Sequence, residues 1–443
     1  SLLPETTTRN RFASGLVRGK LLRSNIRQIV LKILYFGMAK KWTNWVGNQS
    51  FEATDIIEAK SEDDVIKIIN NAASNGLNVR VAGAGHSFTP VVETDGIVID
   101  PVGLKGIHSV DEEKARVTLG SATTIKEIGE PLWEKGFSLR NQGDIEAQRI
   151  AGAIATGTHG SGTNFGSFSA SMVGCRLATA FGEILNIDES NPDLLAAAQV
   201  SIGTLGVMTE VTMQVKPRYR LKEDIRHETF EAVISNYQQR VKENRNFNFF
   251  WFPSEESAAL YNIILPEGEK ATDTCHVKIF NDVTDDVPDS DEHQKRVGRA
   301  YQIYTMVYDP NFHELEYFIP LKFAEDAIRE LREYMLASLP MSVFPMEVRT
   351  VGADTAWLSS QYQTDTCVIS VSGKPGTDYW DYLKAVDKLL GKYQARVHWG
   401  KLHFLTKDQL LERYPKAEDF IKLRRELDPK GMFLNKHLAP LLA

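Results

Sequence analysis

The segment Val81-Ala82-Gly83-Ala84-Gly85-His86-Ser87 sets an imidazole directly behind a tight glycine turn. Residues 77–81 before it read as a short buried strand, and glycines let the backbone turn sharply off its end. They also let main-chain amides approach a phosphate closely. A phosphate loop alone does not require a neighbouring histidine. A nucleotide cofactor cradled by Gly83, Ala84, Gly85 and Ser87, and held at its far end by His86, accounts for both features.

The generic dinucleotide fingerprint fits poorly. Phe88 stands where its third glycine belongs, and residues 89–96 read as loop and turn rather than helix, although Asp100 ends a later strand. An incidental histidine in a turn is the plain alternative. A second cluster weighs against both. Residues 152–166 hold Gly152, Gly157, Gly160, Gly162 and Gly166, with Thr156, Thr158, His159 and Ser161 among them. No Gly-Lys-Ser/Thr ends it, so it is not a Walker loop. It reads as a long coil whose amides and hydroxyls suit the ring edge and pyrophosphate of a flavin dinucleotide. A third turn, Ile202-Gly203-Thr204-Leu205-Gly206-Val207, precedes an alternating strand at 209–215. Three such turns point to one large, extended ligand.

The chain has 443 residues, enough for two domains and a large core. Apolar residues at 42% and charged residues at 25% describe an ordinary globular protein, and the net charge of −7 argues against nucleic acid as a partner. Cys175, Cys275 and Cys367 are far apart and odd in number, so no disulfide framework is expected. No Cys/His spacing resembles a metal site, which leaves organic-cofactor chemistry in a reducing or neutral compartment.

Charge is uneven, for residues 1–50 carry nine Lys/Arg against one acid. Within them Leu22, Ile26, Ile29, Val30, Ile33 and Leu34 recur at helical spacing, with Lys20, Arg23 and Arg27 on another face. The apolar run 29–39 is too short to span a bilayer and is interrupted by Lys32. Residues 20–41 can lie on an anionic membrane surface, belong to a targeting segment or pack on their own domain. No secretory signal is evident, so a cytoplasmic or peripheral-membrane location is expected rather than secretion.

Helical periodicity is expected at 62–73, 124–135, 324–336 and 381–390. Strands are expected at 96–100, 115–119, 176–180, 247–252, 259–264 and 367–372, with a crossover at 218–222.

Six motifs in order resemble the vanillyl-alcohol-oxidase superfamily of FAD proteins, in its aldonolactone oxidoreductase and alditol oxidase branch. They are Gly85-His86-Ser87; Ala155-Thr156-Gly157-Thr158-His159-Gly160-Ser161-Gly162; Gly203-Thr204-Leu205-Gly206; Met346-Glu347-Val348-Arg349; His398-Trp399-Gly400-Lys401-Leu402-His403; and residues 427–435. The resemblance runs from about residue 50 to the end. It implies an α+β fold: an FAD-binding domain of two α/β subdomains over 51–218, and a cap domain over 219–425 with a large antiparallel sheet flanked by helices. Residues 1–50 would be a basic extension, and 426–443 would return to the FAD domain.

The resemblance also implies roles. His86 takes the position of a histidine bonded covalently to the flavin 8α-methyl carbon, and Gly83, Ala84, Gly85, Ser87, Gly152, Thr156, Gly157, Thr158, His159, Gly160, Ser161, Gly203, Gly206 and Val207 would line the FAD. Glu347 and Arg349, two apart on a probable strand, would grip vicinal hydroxyls beside the flavin. Lys401 would sit near the flavin and the reacting hydroxyl. Asp144, Ser370, Ser372 and His398 would complete the pocket, although alditol-type relatives carry His and Thr where this chain has Ser370 and Ser372. Gly143 aligns beside the reactive flavin edge, where its small size leaves room for oxygen and leans toward an oxidase. The implied activity is oxidation of an alcohol carbon of a sugar lactone (L-gulono-, L-galactono- or D-arabinono-1,4-lactone) or a polyol, with O2 or another acceptor reoxidising the flavin. An NADPH-dependent flavin reductase and a non-catalytic membrane-binding protein are the competing expectations.

Overall fold

The computed structural model describes residues 38–443. Of the amphipathic segment expected over residues 20–41, residues 20–37 lie outside the described residues, and the next strand begins at Lys40. Among the described residues no helix is long and apolar enough to cross a membrane. Strands β1 (Lys40–Thr43) and β2 (Ser50–Ala53) form an antiparallel hairpin. The hairpin straddles residue 50, the expected end of the basic extension. Its cause is aromatic packing: Trp42 lies 5.3 Å from Phe51, and Trp45 lies against Phe88.

Strands β3 (Asp55–Glu58), β4 (Val79–Val81) and β5 (Ile97–Asp100) form a parallel sheet ordered β3-β5-β4. Ile97-Val98-Ile99 is wholly buried, as a parallel strand covered on both faces should be. The helix Glu62–Ser74 covers this sheet through Val65, Ile68, Ile69 and Ala72, and Ser61 caps it by accepting from the Asp64 amide.

A second sheet has the order β10-β9-β11-β7-β6 and is antiparallel. Its strands are β6 (Ile107–Asp111), β7 (Arg116–Gly120), β9 (Met172–Ala178), β10 (Ile184–Asp188) and β11 (Val207–Pro217); β8 (Phe137–Leu139) pairs with the far end of β11.

The third sheet has eight antiparallel strands in the order β15-β12-β14-β13-β17-β18-β16-β19. They are β12 (Arg220–Thr229), β13 (Asn246–Phe252), β14 (Thr274–Val283), β15 (Val297–Arg299), β16 (His313–Pro320), β17 (Met346–Val351), β18 (Thr366–Gly373) and β19 (Arg396–Val397). Helices Ala324–Ala337 and Trp380–Gly391 bury one face each. The architecture is α+β, with three free, buried cysteines.

Most expected elements are present, with ends moved by a few residues. Three expectations need correction. Residues 259–264 are not a strand: a short helix, Ser257–Leu260, runs into a turn with Asn262 at φ +55°. The segment 152–166 is not coil throughout, because Ile150–Thr156 is helical and Gly157 ends it in the left-handed region. Residues 218–222 are not a simple crossover, since β12 begins at Arg220.

Residues 428–435 return to the first sheet, where the Val79 amide donates to the Met432 carbonyl at 2.9 Å. Buried Arg80 donates to four carbonyls, those of Val91, Ile202, Gly203 and Phe433, at 2.6–3.0 Å. Burial pushes this guanidinium down to about 10, and among the described residues it meets main-chain carbonyls and no carboxylate. One side chain thus ties β4 to the third glycine turn and to the C-terminal segment.

Candidate active site

A cavity of about 1040 Å3 opens where the three glycine turns converge. Gly83, Ala84, Gly85, His86 and Ser87 line one side, Gly152 and Thr156 another, and Gly203 and Gly206 a third. Gly83 and Gly152 face each other at ordinary contact distance, a Cβ on either falling 3.9 Å from the other's Cα. Gly85 takes φ +71°, and a Cβ there would press to 3.3 Å from Trp42. Two lining side chains, Ser121 and Gln148, keep buried oxygens (Oγ and Oε1) without a partner among the described residues. Backbone-lined walls and orphaned polar atoms fit a flavin dinucleotide, whose phosphates and hydroxyls would satisfy them.

A second cavity of about 740 Å3 shares His86, Ser87, Gln148 and Thr156 with the first. The two therefore meet at the imidazole. Burial, with the Lys401 charge adding to it, lowers His86 to about 4, so the ring is neutral at pH 7. Strand alternation builds the opposite wall. Glu347 and Arg349 project from β17, and Glu314 and Glu316 from β16, with β18 between the two strands. Arg349 donates to Glu347 at 2.7 Å and to Asp144 at 3.0 Å. Asp144 also accepts from the Tyr308 hydroxyl at 2.9 Å and lies 3.6 Å from the Lys278 ammonium. Lys401 is paired with Glu314, whose other oxygen accepts from the Ser370 hydroxyl at 2.5 Å.

Titration differs within this cluster. Burial would raise Asp144, yet Lys278 and Arg349 hold it below the usual carboxylate range. Burial pushes Glu347 up to about 7; Arg349 opposes this, and the Asp144 charge adds to it. Burial works against the charges of Arg349 and Lys401, but the surrounding carboxylates outweigh it and raise both. The cavity therefore holds two permanent cations and one carboxyl poised near neutrality, the combination that proton transfer at pH 7 needs.

Glu347, Arg349, Lys401, Asp144, His398, Thr158 and His159 all line this second cavity. Ser370 and Ser372 stand one layer back: Ser370 touches Glu314, and Ser372 shares a hydrogen bond with Tyr261 at 3.2 Å. Gly143, Gly157, Gly160, Ser161 and Val207 line neither cavity. A Cβ on Gly160 would strike the Gln142 carbonyl at 1.9 Å, Ser161 meets the Tyr304 hydroxyl at 2.8 Å, and the open side of Gly143 faces the His159 carbonyl and Phe168 at 3.4 Å. Sequence reasoning missed Glu314, Glu316, Trp45, Tyr261, Tyr308 and Phe312. The signal for the two glutamates was present: His-Glu-Leu-Glu-Tyr at 313–317 alternates acids with apolar residues in a strand.

His159, Glu316 and His398 converge with donor atoms within 4.8 Å of one another, a geometry that resembles a metal triad. The Gly400 amide donates to His398 Nδ1 at 3.0 Å, so a neutral His398 carries its proton on Nε2, the atom facing Glu316. His159 Nδ1 meets the Gly160 carbonyl and its Nε2 lies 3.0 Å from Glu316. Burial would raise Glu316, but His159 and Lys401 hold it well below the usual range. The cluster is a buried charge clasp between the glycine coil and the cap sheet.

A cavity for an extended nucleotide that opens on a buried acid–base cluster defines a flavoprotein oxidoreductase. Residues 54–188 match a family model described as FAD binding domain, and residues 211–282 and 271–441 match one described as D-arabinono-1,4-lactone oxidase. The chain belongs to this D-arabinono-1,4-lactone oxidase family of FAD-binding aldonolactone oxidoreductases. It is 32% identical to an L-gulono-1,4-lactone dehydrogenase of Mycobacterium tuberculosis, over 91% of this chain and 100% of that one. It is 28% identical to the L-gulonolactone oxidase of Bos taurus, over 90% and 97%. Among solved structures, cholesterol oxidase from B. sterolicum shares the fold, with a TM-score of 0.78 at 15% identity over 92% of this chain and 97% of that one.

Proposed function

We propose that the chain oxidises the hydroxyl-bearing carbon of a five-membered sugar lactone of the L-gulono, L-galactono or D-arabinono type, with FAD bound covalently through His86. The observation that carries this reading is the junction of the two cavities at a neutral imidazole, opposite Glu347, Arg349 and Lys401. FAD, when bound, supplies the two-electron acceptor for the hydride. Residues near 40–217 and 428–435 would hold it, and the eight-stranded sheet would hold the lactone.

Glu347 accepts the substrate hydroxyl proton, because a carboxyl near pH 7 is partly ionised yet basic enough to be useful. Arg349 and Lys401 stabilise the negative charge that grows on that oxygen as the carbon–hydrogen bond breaks. Lys401 cannot itself be the base, since Glu314 and Glu316 hold it as an ammonium. Asp144 fixes Arg349 from the far side, and Tyr308 fixes Asp144. Trp45, Tyr261, Tyr308 and Phe312 form an aromatic wall that excludes water and offers ring faces to the carbon–hydrogen side of the sugar.

The test is an anaerobic titration of flavin absorbance with L-gulono-1,4-lactone, L-galactono-1,4-lactone, D-arabinono-1,4-lactone and xylitol, followed by air. Bleaching by a lactone and rapid return of colour in air are expected. Bleaching by xylitol alone would transfer the chain to the alditol oxidases, and slow recovery would make it a dehydrogenase. Retention of yellow colour by acid-denatured protein tests the His86 bond.

A further inference from the structure

The hairpin β1–β2 lies ahead of the FAD-domain match, which begins at residue 54, yet it touches both cavities. Trp42 lines the larger one and Trp45 the smaller. Its turn is fastened to the histidine loop by main-chain and amide contacts. The Trp45 amide donates to the Gly85 carbonyl at 3.1 Å, and Asn44 Nδ2 to the Ser87 carbonyl at 2.9 Å. Asn48 Nδ2 and Gln49 Nε2 both donate to the Phe88 carbonyl, at 2.9 and 3.0 Å. From the other side the Phe88 amide donates to the Gly400 carbonyl at 2.7 Å.

These bonds fix the backbone around His86 but not its ring. Among the described residues neither ring nitrogen of His86 has a hydrogen-bond partner. The ring is instead stacked on Trp45, with centroids 4.7 Å apart and planes 24° apart. An imidazole held by its face keeps both nitrogen edges open, whereas one held by a hydrogen bond would have a lone pair or proton committed.

We infer that Trp45 is the positioning residue for flavin attachment, its indole face setting the plane in which a His86 nitrogen meets the 8α carbon. This rests on the covalent reading above. In that step the imidazole N–H and one methyl C–H bond break and a C–N bond forms. The two electrons and two protons released pass to the ring system of the same flavin, and dioxygen then removes them as hydrogen peroxide.

The test uses chain produced with limiting FAD, mixed in air with FAD, and follows flavin fluorescence retained by acid-denatured polypeptide. Trp45→Phe preserves a ring face, whereas Trp45→Leu and Trp45→Met do not. Wild type and W45F should attach FAD at similar rates. W45L and W45M should bind FAD reversibly but attach it about 100-fold more slowly, the order expected when a reacting group is misplaced by about 1 Å. If leucine disturbs the hairpin so that FAD no longer binds, W45M, which refills most of the space, carries the comparison. Attachment by W45M at the wild-type rate, or W45F as slow as W45M, would overturn the inference alone. A wild type that releases all its FAD on denaturation overturns the covalent reading and this inference with it.

Discussion

Around the larger cavity the working surface is main chain: glycines in three turns, amides free to point inward, and one caged arginine behind them. Around the smaller cavity it is side chains: four carboxylates, two cations and a wall of rings, of which Glu314, Glu316, Glu347 and Arg349 are set by alternation on strands of one sheet and the rest stand on loops around them. A backbone surface tolerates little change of shape but carries almost no titratable chemistry. A side-chain surface can be altered one charge at a time while the strands stay in place. Substitutions in the two regions should therefore fail in different ways.

The largest effect is expected from Glu347→Gln, which removes the base and leaves the cofactor cavity untouched. Anaerobic flavin bleaching by the preferred lactone should slow about a thousandfold, roughly 4 kcal/mol in the barrier. Unaltered FAD content would confirm that the two regions are separable; loss of FAD would erase the distinction. Arg80→Met should do the reverse. It strands four buried carbonyls, so chemical denaturation should show a loss of about 3 kcal/mol, with FAD released more readily. Full stability in that variant would mean the cage is not structural.

A smaller effect is a displacement in pH. Glu347 works as a base only when ionised, so kcat/KM should fall on the acid side of about pH 7. The Asp144 charge helps to hold Glu347 up, so Asp144→Asn should move that limb to lower pH, by roughly one unit. A limb that stays in place would remove Glu347 as its source. The smallest effect is expected from Gly143→Ala. A Cβ there makes only ordinary contact with the His159 carbonyl and Phe168, so folding and reduction by lactone should persist. Reoxidation by air should keep the wild-type rate, because Gly143 lines neither cavity; a slower rate in stopped flow would place it beside the flavin after all.

The same contrast explains what could be read in advance. Glycine turns are local, and a histidine beside one stands out, so the cofactor loops and His86 were legible by position. Glu347, Arg349 and Lys401 were legible only through motifs, because their partners come from distant strands. Glu314 is the clearest case. It pairs with Lys401 across 87 residues, and nothing near either residue announces the partner. The strand expected at 259–264 failed for a local reason. Its alternation was real, but the Ser254 amide donates to the Ser257 hydroxyl and starts a helical turn instead. Gly152 belongs to a segment expected as coil, because its glycines, amides and hydroxyls suit a polar ligand; it stands instead inside the helix Ile150–Thr156 and still lines the larger cavity.

The arginine cage joins residues 353 positions apart in the chain. The Phe433 carbonyl can reach Arg80 only when the whole intervening stretch has closed into a loop, and closure over such a separation is costly and slow. Arg80 also lines the larger cavity, so that cavity is complete only once the loop has closed. A folding chain that has formed its local sheets but not this contact would be told apart by its weak hold on FAD.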